Sequence, residues 1–493
     1  MISSQNPAFS STVNSDQSSK TDRKYDVTIF GATGFTGTLI TKYLIQRLSN
    51  YQHDSILNGR RFCIAGRNES RLNNLVTEHN IKMTEKGLKQ CVIDVAVVEK
   101  IEKGSAKLLD MTRNTRVLLN VAGPFIACGG LEIVESCVET GTDYLDITGE
   151  PEFVLESAQK FHEKAKQNNV KIIHCCGFDS IPSDMGTNVS LNYIRKRLED
   201  DGIINPSTKQ EKASFMVTNG YLSVNLPGFV SYGTFNTVVT SLENYSVFSG
   251  KKTSEQKVQQ KKKTSLSKRG TKFHKDLQTY IIPFSTSDPL IVRRSNFLLG
   301  YDNKFSTGDT STSNFEFNNY LQISNLYYLF IMFIFLIIMF ILTRFSFGAR
   351  FLRFLYSLKQ NPTQRERDES SFDYTFETFG SVQDAKTSEQ VLVKCKTRVY
   401  NNNDPGYTET AVYAMDSALF LLSNSHAQLA PSGVVTTASV FGVENCKDEY
   451  LRCLGQRTTL RFEVVDYKTV KKSDNAKDFE ELKKNMQQFI KIE

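Results

Sequence analysis

The stretch from Tyr25 to Gly37 constrains the fold more than any other part of the chain. Val27, Ile29 and Phe30 belong to a short apolar run of β-formers without helical period, which predicts a buried strand. Gly31, Gly34 and Gly37 come next at intervals of three, and from Thr38 to Leu48 the sequence takes up a helical rhythm. Glycine serves such a turn in two ways, through positive φ in the bend and through close approach of a ligand to backbone N–H groups. Those N–H groups open a helix whose dipole favours an anion, so a dinucleotide pyrophosphate fits there. Gly31, Thr33, Gly34, Phe35, Thr36 and Gly37 are therefore candidate cofactor-binding residues. A glycine triplet alone is equally compatible with an ordinary strand-loop-helix unit, and the segments downstream of Leu48 decide between the two.

Arg61 to Arg67 reads as a second buried strand ending at Gly66-Arg67. At that place an acid would bind the ribose 2′-hydroxyl of NAD, whereas an arginine suits the 2′-phosphate of NADP. Arg67 thus points to NADP, with NAD as the alternative. Gln90 to Asp94 predicts a third strand closing on Asp94, placed for the adenine edge. Arg116 to Phe125 predicts a fourth, which puts Asn120, Gly123 and Pro124 near the nicotinamide half. A helix from about Leu131 to Thr140 is stopped by Gly141, and a fifth strand runs from Tyr144 towards Glu150. Pro151 suits the first turn of the next helix, which reaches about Gln167. A sixth strand from Val170 ends in Gly177-Phe-Asp179-Ser180, where Ser183 or Asp184 can cap a helix through Leu198. Six strands alternating with helices make a Rossmann-like, doubly wound parallel sheet.

With 493 residues, the chain has room for two or three domains. Charged residues at 23% and apolar ones at 40% mark a folded protein, and a net charge of +7 is too mild to argue for nucleic acid. The nine cysteines show no C-x-x-C pair and no metal-ligand spacing, so no metal is expected. Reduced thiols facing a cytosol fit them. Residues 1–24 are rich in Ser, Thr, Asn and Gln without an apolar core, which predicts a disordered lead-in rather than a secretory signal.

Residues 25–204 form the expected nucleotide-binding domain. From 205 to 405 the pattern changes to Thr/Val alternations, glycines and aromatics, including Ala213 to Val217 and Tyr232 to Thr240, which predicts antiparallel strands of a second, α+β substrate domain. Residues 251–275 hold ten Lys or Arg against one acid, Glu255. This is a solvated basic loop or a patch drawn to an anionic membrane. Leu326 to Leu342 is an unbroken apolar run without charge, about 25 Å long as a helix and flanked by Tyr327, Tyr328 and Arg344, Arg350, Arg353. It offers no polar face for a water-soluble helix. Phe372 to Tyr400 alternates as strands again and Tyr407 to Leu422 reads as a helix. If these complete the same domain, one crossing would separate its halves, which favours a shallow or re-entrant anchor.

Gly31-Ala-Thr-Gly-Phe-Thr-Gly37, Ala65-Gly-Arg67, Asn120-Val-Ala-Gly-Pro124, Asp146-Ile-Thr-Gly-Glu150 and Gly177-Phe-Asp-Ser-Ile-Pro-Ser-Asp184, in this order, resemble the saccharopine dehydrogenase-like oxidoreductase family. Its bacterial relatives include trans-acting enoyl reductases of lipid synthesis. The resemblance runs from about Lys24 to Phe441, including Gly406-Tyr-Thr-Glu-Thr-Ala411. It implies an NADP-type Rossmann domain, an inserted substrate domain, and a return of residues 406–493 to the first domain. It also implies association with lipid droplets, with the mitochondrion as a second location. Saccharopine-forming enzymes usually carry a G-x-G-x-x-G turn and lack the apolar segment, and both departures argue against saccharopine as substrate.

The expected function is an NADP-dependent oxidation or reduction of a hydrophobic, lipid-related small molecule at a lipid surface. The alternative is a catalytically quiet dinucleotide-binding scaffold, and either is compatible with a homo-oligomer. Asp179 and Ser180, after a Gly-Phe turn, are the leading catalytic candidates. Asp146, Glu150 and His174 are the others at strand ends. No Tyr-x-x-x-Lys pair follows the fourth strand in the place where short-chain reductases would have it.

Overall fold

A computed structural model describes residues 20–49, 55–88, 92–205, 213–227, 230–250, 271–284, 287–300, 315–359 and 361–487. The lead-in up to residue 19 and most of the basic stretch, 251–270, lie outside the described residues.

The first sheet contains β1 (Tyr25–Phe30), β2 (Phe62–Gly66), β3 (Asp94–Val97), β4 (Thr115–Asn120), β5 (Asp143–Asp146), β6 (Lys171–Ile173) and, from far downstream, β13 (Gly433–Val435). Its order is β3-β2-β1-β4-β5-β6-β13, and every pairing is parallel. The helices are α1 (Phe35–Ser49), α2 (Glu69–Glu85), α3 (Ala106–Arg113), α4 (Gly130–Thr140), α5 (Pro151–Gln167) and α6 (Ile181–Asp200). Successive side chains of a strand point to opposite faces, and here both faces are covered. Val117 and Leu119 enter the core beneath α1, whereas Leu118 enters the one beneath α3 to α5. That is why these strands are apolar without alternation. The strand order reverses between β1 and β4, and ligands of open α/β sheets bind at the carboxyl ends there.

Order begins before the expected boundary. Lys20–Asp22 is a helical turn, and Arg23 is buried, donating to the Thr115 carbonyl and Thr142 Oγ1, each at 2.6 Å. Residues 20–24 are thus part of the domain because the guanidinium ties them to β4 and β5.

The second sheet has the order β14-β12-β11-β7-β10-β9-β8. Its strands are β7 (Ala213–Asn225), β8 (Lys272–His274), β9 (Thr279–Pro283), β10 (Phe315–Ile323), β11 (Ser371–Gln383), β12 (Gln390–Asn401) and β14 (Arg461–Lys471). It is mixed rather than purely antiparallel, because β7 and β10 run parallel side by side. Helix α6 is clamped between the two sheets and shares one core with Phe317, Phe376 and Val399. Tyr232 to Thr240, expected as a strand, lies in helix α7 (Tyr232–Gly250). Its β-branched residues are overridden by packing, since Phe235 and Val239 face a neighbouring helix at helical spacing. The C-terminal return is divided. The helix Thr410–Ser423 and β13 join the first domain, whereas β14 and the final helix Ala476–Gln487 complete the second.

Helix α8 (Asp288–Leu299) leads through the second domain towards α9 (Leu326–Thr343) and α10 (Ser346–Ser357). Helix α9 is the apolar run, and only its Met339 and Thr343 are buried. It leaves the sheet at the end of β10 and the chain re-enters the same sheet at β11, both strands lying against β7.

Candidate functional site

The turn after β1 is closed by its own backbone. Gly31 N–H donates to the Ala65 carbonyl at 2.9 Å and Gly34 N–H to the Gly31 carbonyl at 3.0 Å. Gly31 has φ of +87°, and a Cβ there would lie 2.8 Å from the Ala122 amide nitrogen. At Gly37 a Cβ would collide with the Gly31 carbonyl oxygen, so glycine lets α1 start directly against the turn. Gly34 is exposed between the half-buried Thr33, Phe35 and Thr36. The first-turn amides of a 15-residue helix face outwards there. The arrangement fits a pyrophosphate.

Arg67 is exposed at the carboxyl end of β2. Asn68 caps α2 by accepting the Arg71 N–H at 2.9 Å, which leaves Arg71 exposed on the first turn beside it. Sequence reasoning missed Arg71, although its place three residues after the cap was the available signal. Both cations lie where a 2′-phosphate of NADP would be met.

Asp94 is elsewhere. It opens β3 instead of closing it, pairs with Cys63, and accepts from Tyr25 Oη at 2.9 Å and Lys24 Nζ at 3.1 Å. This is the opposite edge of the sheet from the glycine turn, so Asp94 has no route to adenine. The strand expected over Gln90–Asp94 is displaced towards Val97, since Gly66 pairs with Val97.

Asn120 is buried and uses both ends of its amide internally. Nδ2 donates to Tyr144 Oη at 3.0 Å, and Oδ1 accepts the Ala122 N–H at 3.0 Å. It shapes the loop that carries the exposed Gly123 and buried Pro124, joined by a cis peptide, without facing a ligand. Glu150, just before α5, holds the same loop by accepting the Phe125 and Ile126 amides at 2.7 and 3.1 Å. Burial raises its carboxyl pKa, and the two amides oppose that rise. Asp146 accepts the Thr148 and Cys175 amides through one oxygen and bonds His174 Nδ1 at 2.6 Å through the other. His174 Nε2 meets Ser157 Oγ at 2.8 Å. All three side chains are buried. With Nδ1 donating to the carboxylate, Nε2 accepts from the serine, and the network is closed.

Asp179 differs from both. It is exposed and has no hydrogen-bond partner among the described residues, and its carboxylate lies over Gly149, 3.1 Å from where a Cβ would be. Protein surrounds it closely enough that desolvation pushes its pKa up to about 6. Solvent reaches it in the turn between β6 and α6. The neighbouring Phe178 donates its N–H to Thr410 Oγ1 at 3.0 Å and packs its ring against Phe372 with centroids 4.9 Å apart. Ser180, expected to act with Asp179, turns inwards instead. It is fully buried with its Oγ 3.4 Å from Ser287 Oγ, because it stands at the start of α6 where that helix enters the core. Ser183 and Asp184 likewise lie inside α6 and do not cap it. Asp184 accepts the Ala438 N–H at 2.7 Å.

The apolar wall was not legible in sequence. Tyr407 packs edge-on against Phe35 with centroids 5.1 Å apart, and the Arg367 guanidinium lies 5.6 Å from the Phe35 ring. Asp404 fixes Tyr407 by accepting the amides of Gly406, Tyr407 and Thr408. Tyr407 Oη accepts the Ser231 N–H at 2.6 Å, just before α7. The preceding Val230 carbonyl accepts Tyr356 Oη of α10 at 2.7 Å, and Tyr356 stacks on Phe235 at 3.8 Å. The glycine turn and the apolar helices are therefore joined by a short relay of side chains. Among the described residues no group of three His, Cys, Asp or Glu is placed to hold a metal.

Residues 27–173 match the saccharopine dehydrogenase NADP-binding domain family. A lipid droplet localized protein of Caenorhabditis elegans is 26% identical over 88% of this chain and 97% of its own length. A saccharopine dehydrogenase-like oxidoreductase of Homo sapiens is 27% identical, covering 85% of this chain and 93% of its own. A trans-acting enoyl reductase of Mycobacterium ulcerans (strain Agy99) is 32% identical over 37% of this chain and 38% of its own.

Proposed function

Residues 27–173 are a saccharopine dehydrogenase-type NADP-binding domain in a chain that resembles the saccharopine dehydrogenase-like oxidoreductases over most of its length, and from this premise we propose an NADP-dependent oxidoreductase acting on a hydrophobic, lipid-related substrate at a lipid surface. The bound coenzyme supplies or accepts hydride. The chain's own part is to seat the pyrophosphate on Gly31 to Gly37, to meet the 2′-phosphate with Arg67, and to hold a proton on the Asp179 carboxyl. Phe178, next to it in the chain, packs on Phe372 and gives that carboxyl an apolar neighbour.

One observation carries the chemical half of this reading. Of the three carboxylates near the ends of β5 and β6, Asp146 and Glu150 are saturated by hydrogen bonds and Asp179 is open, with a pKa of about 6. A proton donor or acceptor of that kind is what hydride chemistry needs beside the reacting carbon, and a quiet scaffold has no use for it. The lipid half is supported by the exposed apolar surface of α9 and by the name of the C. elegans relative. The relay through Tyr407 and Tyr356, which links the glycine turn to the apolar helices, supports joining the two halves.

Titration of the purified protein with NADPH and NADH, monitored by nucleotide fluorescence, tests the first half. NADPH is expected to bind the tighter, and binding of neither would sink it. Flotation with phospholipid vesicles tests the second half. Deleting Leu326–Leu342 should leave the protein in the soluble fraction, and unchanged flotation would refute the anchor.

A further inference from the structure

We propose that α9 and the outward face of α10 enter a single phospholipid leaflet and that neither helix crosses the membrane. The proposal rests on the lipid-surface reading and adds its topology.

Six consecutive residues of α9, Phe333 to Ile338, are each 41–61% exposed, so every side of the helix is open. A protein partner covers one face of a helix, whereas a surface that is apolar all round calls for a solvent that is apolar all round. Helix α10 reads inside out. Phe347, Phe351, Phe354, Leu355 and Leu358, at helical spacing, face away from the protein and are 42–77% exposed. On its inner side Ala349 is buried against α7, Tyr356 stacks on Phe235, and Arg353 pairs with Glu243. The exposed Arg350 and Lys359 border the apolar stripe, where they can meet lipid phosphates.

The topology excludes a crossing. At 18 residues α9 is about 27 Å long, close to the ~30 Å of a hydrocarbon core. Both of its ends belong to one domain, however. It begins three residues after Ile323, which pairs with Tyr280, and near its other end Met339 and Thr343 are buried, with Arg344 donating to the Leu242 carbonyl. The return towards β11 starts with α10, which has 12 residues, about 18 Å, and carries Arg350 and Arg353. It is too short and too charged to recross. The corner between the two helices is built on Gly348, where a Cβ would run into the Leu342 carbonyl. Helices folded back in this way suit a monolayer as well as a bilayer leaflet.

The chain contains no tryptophan, so a single introduced one is an unambiguous reporter. Phe335→Trp in α9, Phe351→Trp in α10 and, as a control, Phe297→Trp on the exposed side of α8 would be added to phosphatidylcholine–phosphatidylserine vesicles with brominated acyl chains. They would also be added to triolein droplets coated with a monolayer of the same lipids. The first two should shift to the blue and lose emission on both surfaces, and Phe297→Trp should do neither. If no variant floats with either surface, the lipid reading itself fails. If all float but Phe351→Trp keeps its emission, or if binding occurs on vesicles and not on droplets, one-leaflet insertion is overturned. Lipid-independent dimerisation that shields both reporters would overturn it as well.

Discussion

Ile29 and Ile334 are the same residue under opposite rules. Ile29, in the middle of β1, is fully buried, whereas Ile334, in α9, is 41% exposed. Around the first, burial of an isoleucine is worth roughly 1.5–3 kcal/mol, and Asn120, Asp146 and Glu150 at the sheet edge are hydrogen-bonded. Around the second the side chains are apolar and exposed, and under the proposed lipid-surface reading the same free energy comes from lipid. The difference shows that hydrophobicity alone does not locate a core. What distinguishes the two regions is which residues the chain folds over them.

Charging each region in turn is the strongest way to break this contrast. Ile29→Arg places an unpaired charge in a closed interior and should abolish folding, since several kcal/mol is a large fraction of the ~5–15 kcal/mol by which a domain is stable. Ile334→Arg should leave the melting temperature unchanged while weakening flotation by about 2.5–3.5 kcal/mol, near a hundredfold. Circular dichroism melts and vesicle flotation read the two effects, and an Ile334→Arg protein that unfolds would show α9 to be an ordinary core helix.

The polar edge of the buried region sharpens the contrast further. Arg67→Ala should weaken NADPH by roughly 1.5–3 kcal/mol, as expected for loss of a charged hydrogen-bonding partner, with NADH unaffected. Equal loss for both nucleotides would remove Arg67 from the 2′-phosphate. A smaller effect is expected at Asp179. Its folded pKa of about 6 lies above the unfolded value near 3.9, so the folded state binds the extra proton between them. The associated stability is fully present below about pH 4 and is lost as pH rises through 6. Asp179→Asn should therefore flatten the fall in melting temperature between pH 4 and 6. An unchanged slope would mean that other buried carboxyls, among them Asp184, pushed up to about 6 by the same cause, and Glu150, account for it.

The nucleotide-binding half was legible because its signals are local. An apolar run, a glycine turn and a helical rhythm each occupy a dozen residues, and their order identifies the sheet. Asp94 was misplaced because a four-residue strand leaves no room to tell its first residue from its last. Tyr232 to Thr240 looked like a strand because Val and Thr favour one, and only the packing of Phe235 on Tyr356 makes it a helix. The three-residue β13 has no sequence signature at all. At the site, Asp179 was legible as a turn residue but its lack of a partner was not. That depends on Asp146 and Glu150 being taken up by amides of other strands. Ser180 was adjacent in sequence and is opposite in orientation.

The excursion between β10 and β11 also bears on how this chain folds. The detour is 47 residues long and joins two strands that already lie against β7. Closing a loop costs free energy only as the logarithm of its length, so taking Leu326–Leu342 out of the detour changes that term by ~0.4 kcal/mol. No strand gains or loses a neighbour by it. The exposed apolar hairpin is in this sense a postal address written on a sealed envelope. It can be rewritten or erased, sending the same oxidoreductase fold to another surface or into water, without opening what the envelope contains.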